Sequence, residues 1–185
     1  MLTKNEALEL VRQRLPEGSA VLEDATVERS YGWLFFAQPK EYIETRDPAA
    51  MLFGSGGTLV EKNTGRCIDF GSAFSTDINL RIYEAGYLDH PDYDLLVTEV
   101  SQIDEAVRLL TRLALTYVVS EISSGTTWRI PRVYTQHQMQ AKLSRLPCRL
   151  NVGDLYFRWQ VLEHMKSSAA LKFSLVPTEG GRNEV

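Results

Sequence analysis

Cysteine is scarce in this chain: two in 185 residues, Cys67 and Cys148, lying 81 positions apart with no C-x-x-C. That excludes a disulfide framework, and both thiols read as small core residues. Histidine is scarce as well. His90, His137 and His164 form neither H-x-x-x-H nor H-E-x-x-H, so no metal site is expected. No apolar run nears the ~20 residues that cross a bilayer. The longest, Leu113 to Val119, has seven residues and is interrupted by Thr116. The opening MLTKNEALELVRQR is charged and amphipathic, without an apolar signal core, which leads us to expect a cytoplasmic protein with no membrane partner. Basic residues are short in the first half: residues 1–94 hold 9 Lys and Arg against 16 Asp and Glu, a net of −7, while residues 95–185 carry +3. A surface that binds phosphates needs Lys and Arg, so direct nucleic-acid binding is disfavoured there; the acidity is compatible with a basic protein partner, and equally with a surface that merely aids solubility.

What is present is an ordinary globular composition, 44% apolar and 24% charged, with helix and strand signals interleaved. Thr3 and Glu6 form a T-x-x-E capping box ahead of the apolar stripe Ala7, Val11, Leu15. Residues 21–28 and 31–38 read as extended, and Asp47-Pro48 reads as a helix start. The glycine-rich 54–57 reads as a tight turn. Residues 58–61 and 66–70 form a hairpin across Lys62-Asn63-Thr64-Gly65. The segment 84–94, EAGYLDHPDYD, is polar and aperiodic and reads as a linker. Beyond it come a strand at 95–100 and a helix capped by Ser101, with the stripe Ile103, Val107, Leu110, Ala114, Tyr117. An extended piece at 126–130 stops at Pro131, and a helix begins at Thr135. A strand follows at 148–152, then an antiparallel pair, 156–162 with 171–176. The fold class is therefore α+β: a helix packed on an antiparallel sheet at 1–86, a second small α+β domain at 95–177, and a mobile tail at 178–185.

No residue is singled out as catalytic and no cofactor is expected. The GSGG at 54–57 precedes a strand rather than opening a helix, and it lacks the Lys and Ser/Thr of a phosphate loop. Carboxylates stand out instead. Glu41, Glu44 and Asp47 recur every three residues, and Glu84, Asp89, Asp92 and Asp94 crowd the linker beside Tyr87 and Tyr93. Carboxylates interleaved with tyrosine suit a protein-binding surface. Trp33, Trp128 and Trp159 sit in extended-looking segments and read as core.

The order of motifs in the first half is informative. Tyr31-Gly32-Trp33-Leu34-Phe35-Phe36 is followed by Tyr42-Ile43-Glu44-Thr45, Asp47-Pro48, Gly54, Thr58-Leu59-Val60, Lys62-Asn63-Thr64-Gly65 and Gly71-Ser72-Ala73. This series resembles the YrhB-like domain, family thirty-five among the immunity proteins of bacterial polymorphic toxins. The chain departs from the pattern at Arg46, where the family often has Gly, and at Ser55-Gly56-Gly57, where it often has Asn-[Ala/Gly]-Pro; the second departure implies a looser loop. The resemblance implies a small α+β domain that binds and neutralises a cognate toxin, without catalysis. The acidic half suits a basic toxin, and the nine residues Glu41, Glu44, Asp47, Glu84, Tyr87, Asp89, Asp92, Tyr93 and Asp94 are the expected contacts. A chaperone-like binder of unfolded chains would need an exposed apolar patch, and the apolar residues read as consumed by two cores. An enzyme with a dispersed site would leave no local signature.

Overall fold

The structure is a computed structural model and is described for residues 1–178. It is α+β, and its contacts cluster into two units, Met1–Arg81 and the chain from Ile82 onward.

The first unit opens with α1, Lys4–Arg12, whose capping box is formed as the sequence predicts: Thr3 accepts from the Glu6 N–H, and the Glu6 carboxylate accepts from the Thr3 N–H at 2.7 Å. Four paired segments follow in chain order: β1 Ser19–Val21, β2 Val27–Glu28, β3 Gly32–Phe35 and β4 Ala37–Pro39. Next come a short helix, α2 Lys40–Thr45, and a 3-10 turn at Pro48–Ala50 capped by Asp47. β5 Ser55–Glu61 and β6 Cys67–Gly71 complete the unit's strands, ahead of α3, Thr76–Glu84. The main sheet is antiparallel in the order β2-β3-β5-β6, and β1 pairs separately with β4. Trp33, Phe35 and Val60 lie on one sheet face and bury against Ala7, Leu8 and Val11 of α1. Leu34 and Leu59 form a cross-strand pair on the opposite face and are fully buried as well.

The glycine-rich stretch is not a turn, because Ser55–Gly57 belongs to β5. Nor is it a looser loop. A Cβ on Gly56 would stand 2.3 Å from the Gly71 carbonyl oxygen, and one on Gly57 would stand 2.8 Å from that of Phe35. The register shifts between Ser55 and Thr58, and Gly57 has φ +94°, so the glycines let a bulged strand pack closely on both neighbours.

The second unit is built on the sheet β10-β7-β11, with β7 Tyr93–Val100 in the middle, β10 Cys148–Gly153 on one side and β11 Leu171–Pro177 on the other, all antiparallel. α4 Ile103–Arg112 buries Ala106, Val107, Leu109 and Leu110. Its cap is Gln102, not Ser101, whose hydroxyl donates to the Ala169 carbonyl at 2.5 Å. The helix does not reach Tyr117. Ala114 adopts φ +50°, and the chain enters a separate hairpin, β8 Thr116–Ser123 with β9 Thr126–Val133. α5 Gln136–Leu143 starts on a second capping box, Thr135 with Gln138. The expected strand at 156–162 is instead a 3-10 turn and α6, Trp159–Ser167, and β11 takes β7 as its partner. Trp128 is 57% exposed and is not core. The segment 84–94 is no free linker, since Tyr87, Tyr93 and Asp94 are buried. Of the expected tail, Thr178 donates to the Asp92 carbonyl at 3.1 Å, and residues 179–185 lie outside the described residues.

Arg46 ends α2 in the left-handed region, φ +59°. A Cβ there costs about 1–2 kcal/mol, which glycine avoids. Arg46→Gly should therefore raise stability by up to about 1 kcal/mol, while Gly56→Ala should lower it by about 1–3 kcal/mol through overpacking. Urea unfolding of both variants, with unchanged m-values, checks the pair of signs.

Candidate functional site

Between β4 and β5 the chain spends residues 40–53 on α2, the 3-10 turn and a loop, and not one of these side chains is buried. Glu41, Glu44 and Asp47 are all exposed here, as the sequence predicts. Beside them the structure adds a feature that pattern reading missed: Met51, Leu52 and Phe53 are exposed, Phe53 to 74%. The loop is nevertheless fixed. Gln38 on β4 accepts from the Leu52 N–H at 2.8 Å and donates from Nε2 to the Leu52 carbonyl at 3.3 Å. Thr45 accepts from the Asp47 N–H at 3.1 Å, and the Asp47 carboxylate accepts from the Ala49 N–H at 2.9 Å. A cavity of about 470 Å³ adjoins the loop, lined by Leu15, Pro16, Phe35, Ala37 and Leu52 among others. Arg14 and Asp69, ion-paired at 2.8 Å, also line it. The result is an apolar groove and an apolar finger on a carboxylate-bearing excursion.

The other six expected contact residues belong to the second unit and divide differently. Glu84 and Asp89 are exposed and Asp92 half-buried, but three are consumed by the fold. Tyr87 is 2% exposed and donates its hydroxyl to Glu163 of α6, with Lys166 over its ring at 4.6 Å. Tyr93 donates to the Gly86 carbonyl at 2.7 Å, and the His90 N–H donates back to the Tyr93 oxygen. Asp94 accepts from Asn151 at 2.8 Å and from Thr178 at 3.1 Å, with Arg149 at 3.6 Å. These three carry the turn that leads into β7, and the expectation that they face a partner is corrected. The structure does bring Tyr87, Asp89, His90, Tyr93 and Lys166 around one cavity of about 440 Å³.

Burial raises both thiols, Cys67 and Cys148, so neither has the thiolate character of a nucleophile. His90, His137 and His164 are exposed, and among the described residues no three His, Cys, Asp or Glu gather as metal ligands. No helix among them is long and apolar enough to cross a membrane.

Residues 5–86 match the family described as Immunity protein 35. The chain is also similar to the uncharacterised protein YrhB of Escherichia coli (strain K12), 34% identical over 55 residues, a stretch covering 30% of this chain and 58% of that protein. No solved structure matches. The resemblance drawn from the order of motifs in the first half is thus borne out over those residues. The matched span contains the whole 40–53 excursion; the chain beyond residue 86 lies outside it.

The Tyr87–Glu163 bond has a measurable signature. Glu163 is held below the usual carboxylate range, first by the Tyr87 hydroxyl and then by Lys166, against the opposing effect of its own partial burial. Tyr87 is pushed up, first by burial and then by Glu163, so it stays a phenol at neutral pH. A depressed carboxylate contributes stability that is present above its unfolded pKa and lost as pH falls through its folded one. Tyr87→Phe should therefore destabilise at pH 7, and the gap from wild type should narrow as pH drops below the ordinary Glu range of about 4. Chemical denaturation across pH 3–7 measures that gap.

Proposed function

We propose that this chain is an immunity protein that binds and neutralises a cognate bacterial toxin in the cytoplasm, and that the toxin docks on the 40–53 excursion of the first unit. One observation carries the reading: fourteen consecutive residues within the immunity-family match bury no side chain completely, yet are fixed in place and expose Phe53 on a segment that also carries three exposed carboxylates. An apolar anchor rimmed by charge is how interfaces concentrate affinity, because the anchor is desolvated while the rim steers encounter. Glu41, Glu44 and Asp47 favour a basic partner surface. Protection then follows from occluding the toxin, with no chemistry asked of this chain, no cofactor, and no nucleic acid or lipid as ligand.

The argument against a chaperone-like role, that the apolar residues are consumed by two cores, is corrected by the exposed Phe53, Ile122 and Trp128. The role still fits poorly. A holder of unfolded chains works through a broad apolar surface, whereas these residues fall in short segments interleaved with charge.

Tagged chain purified from its native host should retain one stoichiometric partner that is toxic to cells lacking this chain. Changing Glu41 and Glu44 to Gln and Asp47 to Asn together should slow association roughly tenfold at low salt and flatten its salt dependence. Phe53→Ser should chiefly speed dissociation. Stopped-flow and surface-binding kinetics separate the two effects. A partner whose rates ignore all four substitutions removes this surface from the reading.

A further inference from the structure

The β8–β9 hairpin lies wholly beyond the family-matched residues and has a use that the immunity reading does not supply. Its turn is Ser124-Gly125 with φ +52° and +80°, the positive pair of a type I′ loop. A two-residue loop makes its flanking pair, Ser123 and Thr126, a hydrogen-bonded one, and such pairs then alternate along the ladder. The bond from the Tyr134 N–H to the Leu115 carbonyl, 3.0 Å, falls in the same alternation. Thr116, Val118, Ser120 and Ile122 therefore aim their backbone groups outward from β8, and Thr127, Arg129, Pro131 and Val133 aim theirs outward from β9. Pro131 has no N–H to offer, so the edge of β9 is blunted in the way edge strands commonly are. The edge of β8 carries no such guard, and among the described residues β8 is hydrogen-bonded to no strand but β9, although it also approaches β10.

The same residues share one face of the ribbon. Val118, Ile122 and Val133 are exposed on it, Ile122 to 79%, and Arg129 stands opposite Ser120 with no ion-pair partner among the described residues. The other face is anchored at its base, where Gln138 of α5 donates to the Tyr117 hydroxyl at 2.7 Å and the Tyr117 and Tyr134 rings lie 4.7 Å apart. The surroundings are basic. Residues 106–150 hold seven Lys and Arg and one acid, Glu121, which Arg132 pairs at 3.2 Å; Arg108 and Arg149 pair with Glu105 and Asp94 from outside the stretch, and Arg112, Arg129, Lys142 and Arg145 are left among the described residues.

We propose that the outer edge of β8, Val118–Ile122, takes an extended acidic segment of a partner protein as a third strand of the ribbon. Strand addition satisfies the unpaired backbone groups, alternate apolar residues of the guest cover Val118 and Ile122, and its carboxylates meet Arg129. A single nucleic-acid strand is the weaker occupant, because bases stack on aromatic rings and this face carries none, Trp128 being on the other. The site does not depend on the toxin-binding surface of the first unit.

The test uses the full chain and three probes: a peptide of about eight residues alternating Val and Glu, its Val–Lys counterpart, and oligothymidine. The expected result is that the acidic peptide alone slows hydrogen exchange at the Val118, Ser120 and Ile122 amides by about tenfold or more. Ser120→Pro, which removes an outward N–H but no ladder bond, should abolish that protection while Ser120→Ala keeps it. Arg129→Glu should weaken binding roughly tenfold at low salt. Three results overturn the proposal: unchanged exchange at these amides with the acidic peptide, equal or tighter binding of the basic peptide or oligothymidine, or undiminished binding by Ser120→Pro with its Ser123–Thr126 contact intact. Should Ser120→Pro fail to fold, Arg129→Glu decides alone, and unaltered affinity in it is equally fatal.

Discussion

The first unit is governed by the burial of β3 on both faces. All four of its residues, Gly32–Phe35, are buried, with Trp33 and Phe35 turned to α1 and Leu34 turned away. An antiparallel strand commonly leaves one face to water. Here that option is closed, so both neighbours must pack tightly. A Cβ on Gly32 would stand 2.6 Å from the Val60 carbonyl oxygen, and one on Gly57 would stand 2.8 Å from that of Phe35. The chain near β3 is left almost no freedom, and residues 40–53 are what remains once the core is complete. A segment released from packing but fixed by Gln38 and Asp47 can vary its surface without disturbing the fold. That separation suits a binding protein, since the exposed residues of the excursion are not the ones that hold the sheet together.

The second unit solves a different problem. Its sheet has three strands, and β7, the middle one, is entered from a segment rich in Tyr and Asp. Buried polar groups there are costly unless bonded. Tyr93 and Asp94 are each bonded within the unit, and Tyr87 reaches across to α6. What looks like surface polarity is thus an internal network that pins the turn into β7 and, through Thr178, the end of β11.

This contrast explains what could be read from the residues and what could not. Local signals carried well. Thr3 with Glu6, Asp47 with Pro48, and Thr135 at its helix start all cap as their spacing predicts, because a cap is settled within about four residues. The ordered motifs of residues 31–73 carried the family. One local signal failed, since Gln102 and not Ser101 caps α4, and the other failures are non-local. Tyr156 to Leu162 has strand-forming composition, yet Leu162 and Met165 are spaced for a helix face and are buried as one. Leu113 to Tyr117 keeps a helical period, but Ala114 turns left-handed and the chain becomes β8. Pro131 does not stop β9, since its missing N–H faces outward where no ladder bond is lost. Of the nine expected contact residues, three were misjudged because their partners, Glu163, Gly86 and Asn151, cannot be inferred from adjacent sequence. The Gln38–Leu52 clamp, fourteen positions apart, was equally invisible.

The two units also present opposite chemistry. The excursion of the first carries Glu41, Glu44 and Asp47 against Lys40 and Arg46, with Phe53 exposed, while the ribbon of the second carries Val118, Ile122 and Arg129 within a basic stretch. An isolated two-stranded ribbon is marginal in water, and exposed valine and isoleucine along it contribute nothing to stability while inviting unwanted strand pairing. Simple folding economy would shorten such an element or charge its face. Pro131 shows that one edge is guarded, which makes the open edge of β8 a specific asymmetry. Covering a basic toxin, the task proposed for the excursion, leaves this asymmetry unexplained. The acidic guest strand proposed for β8 gives the exposed ribbon a task of its own.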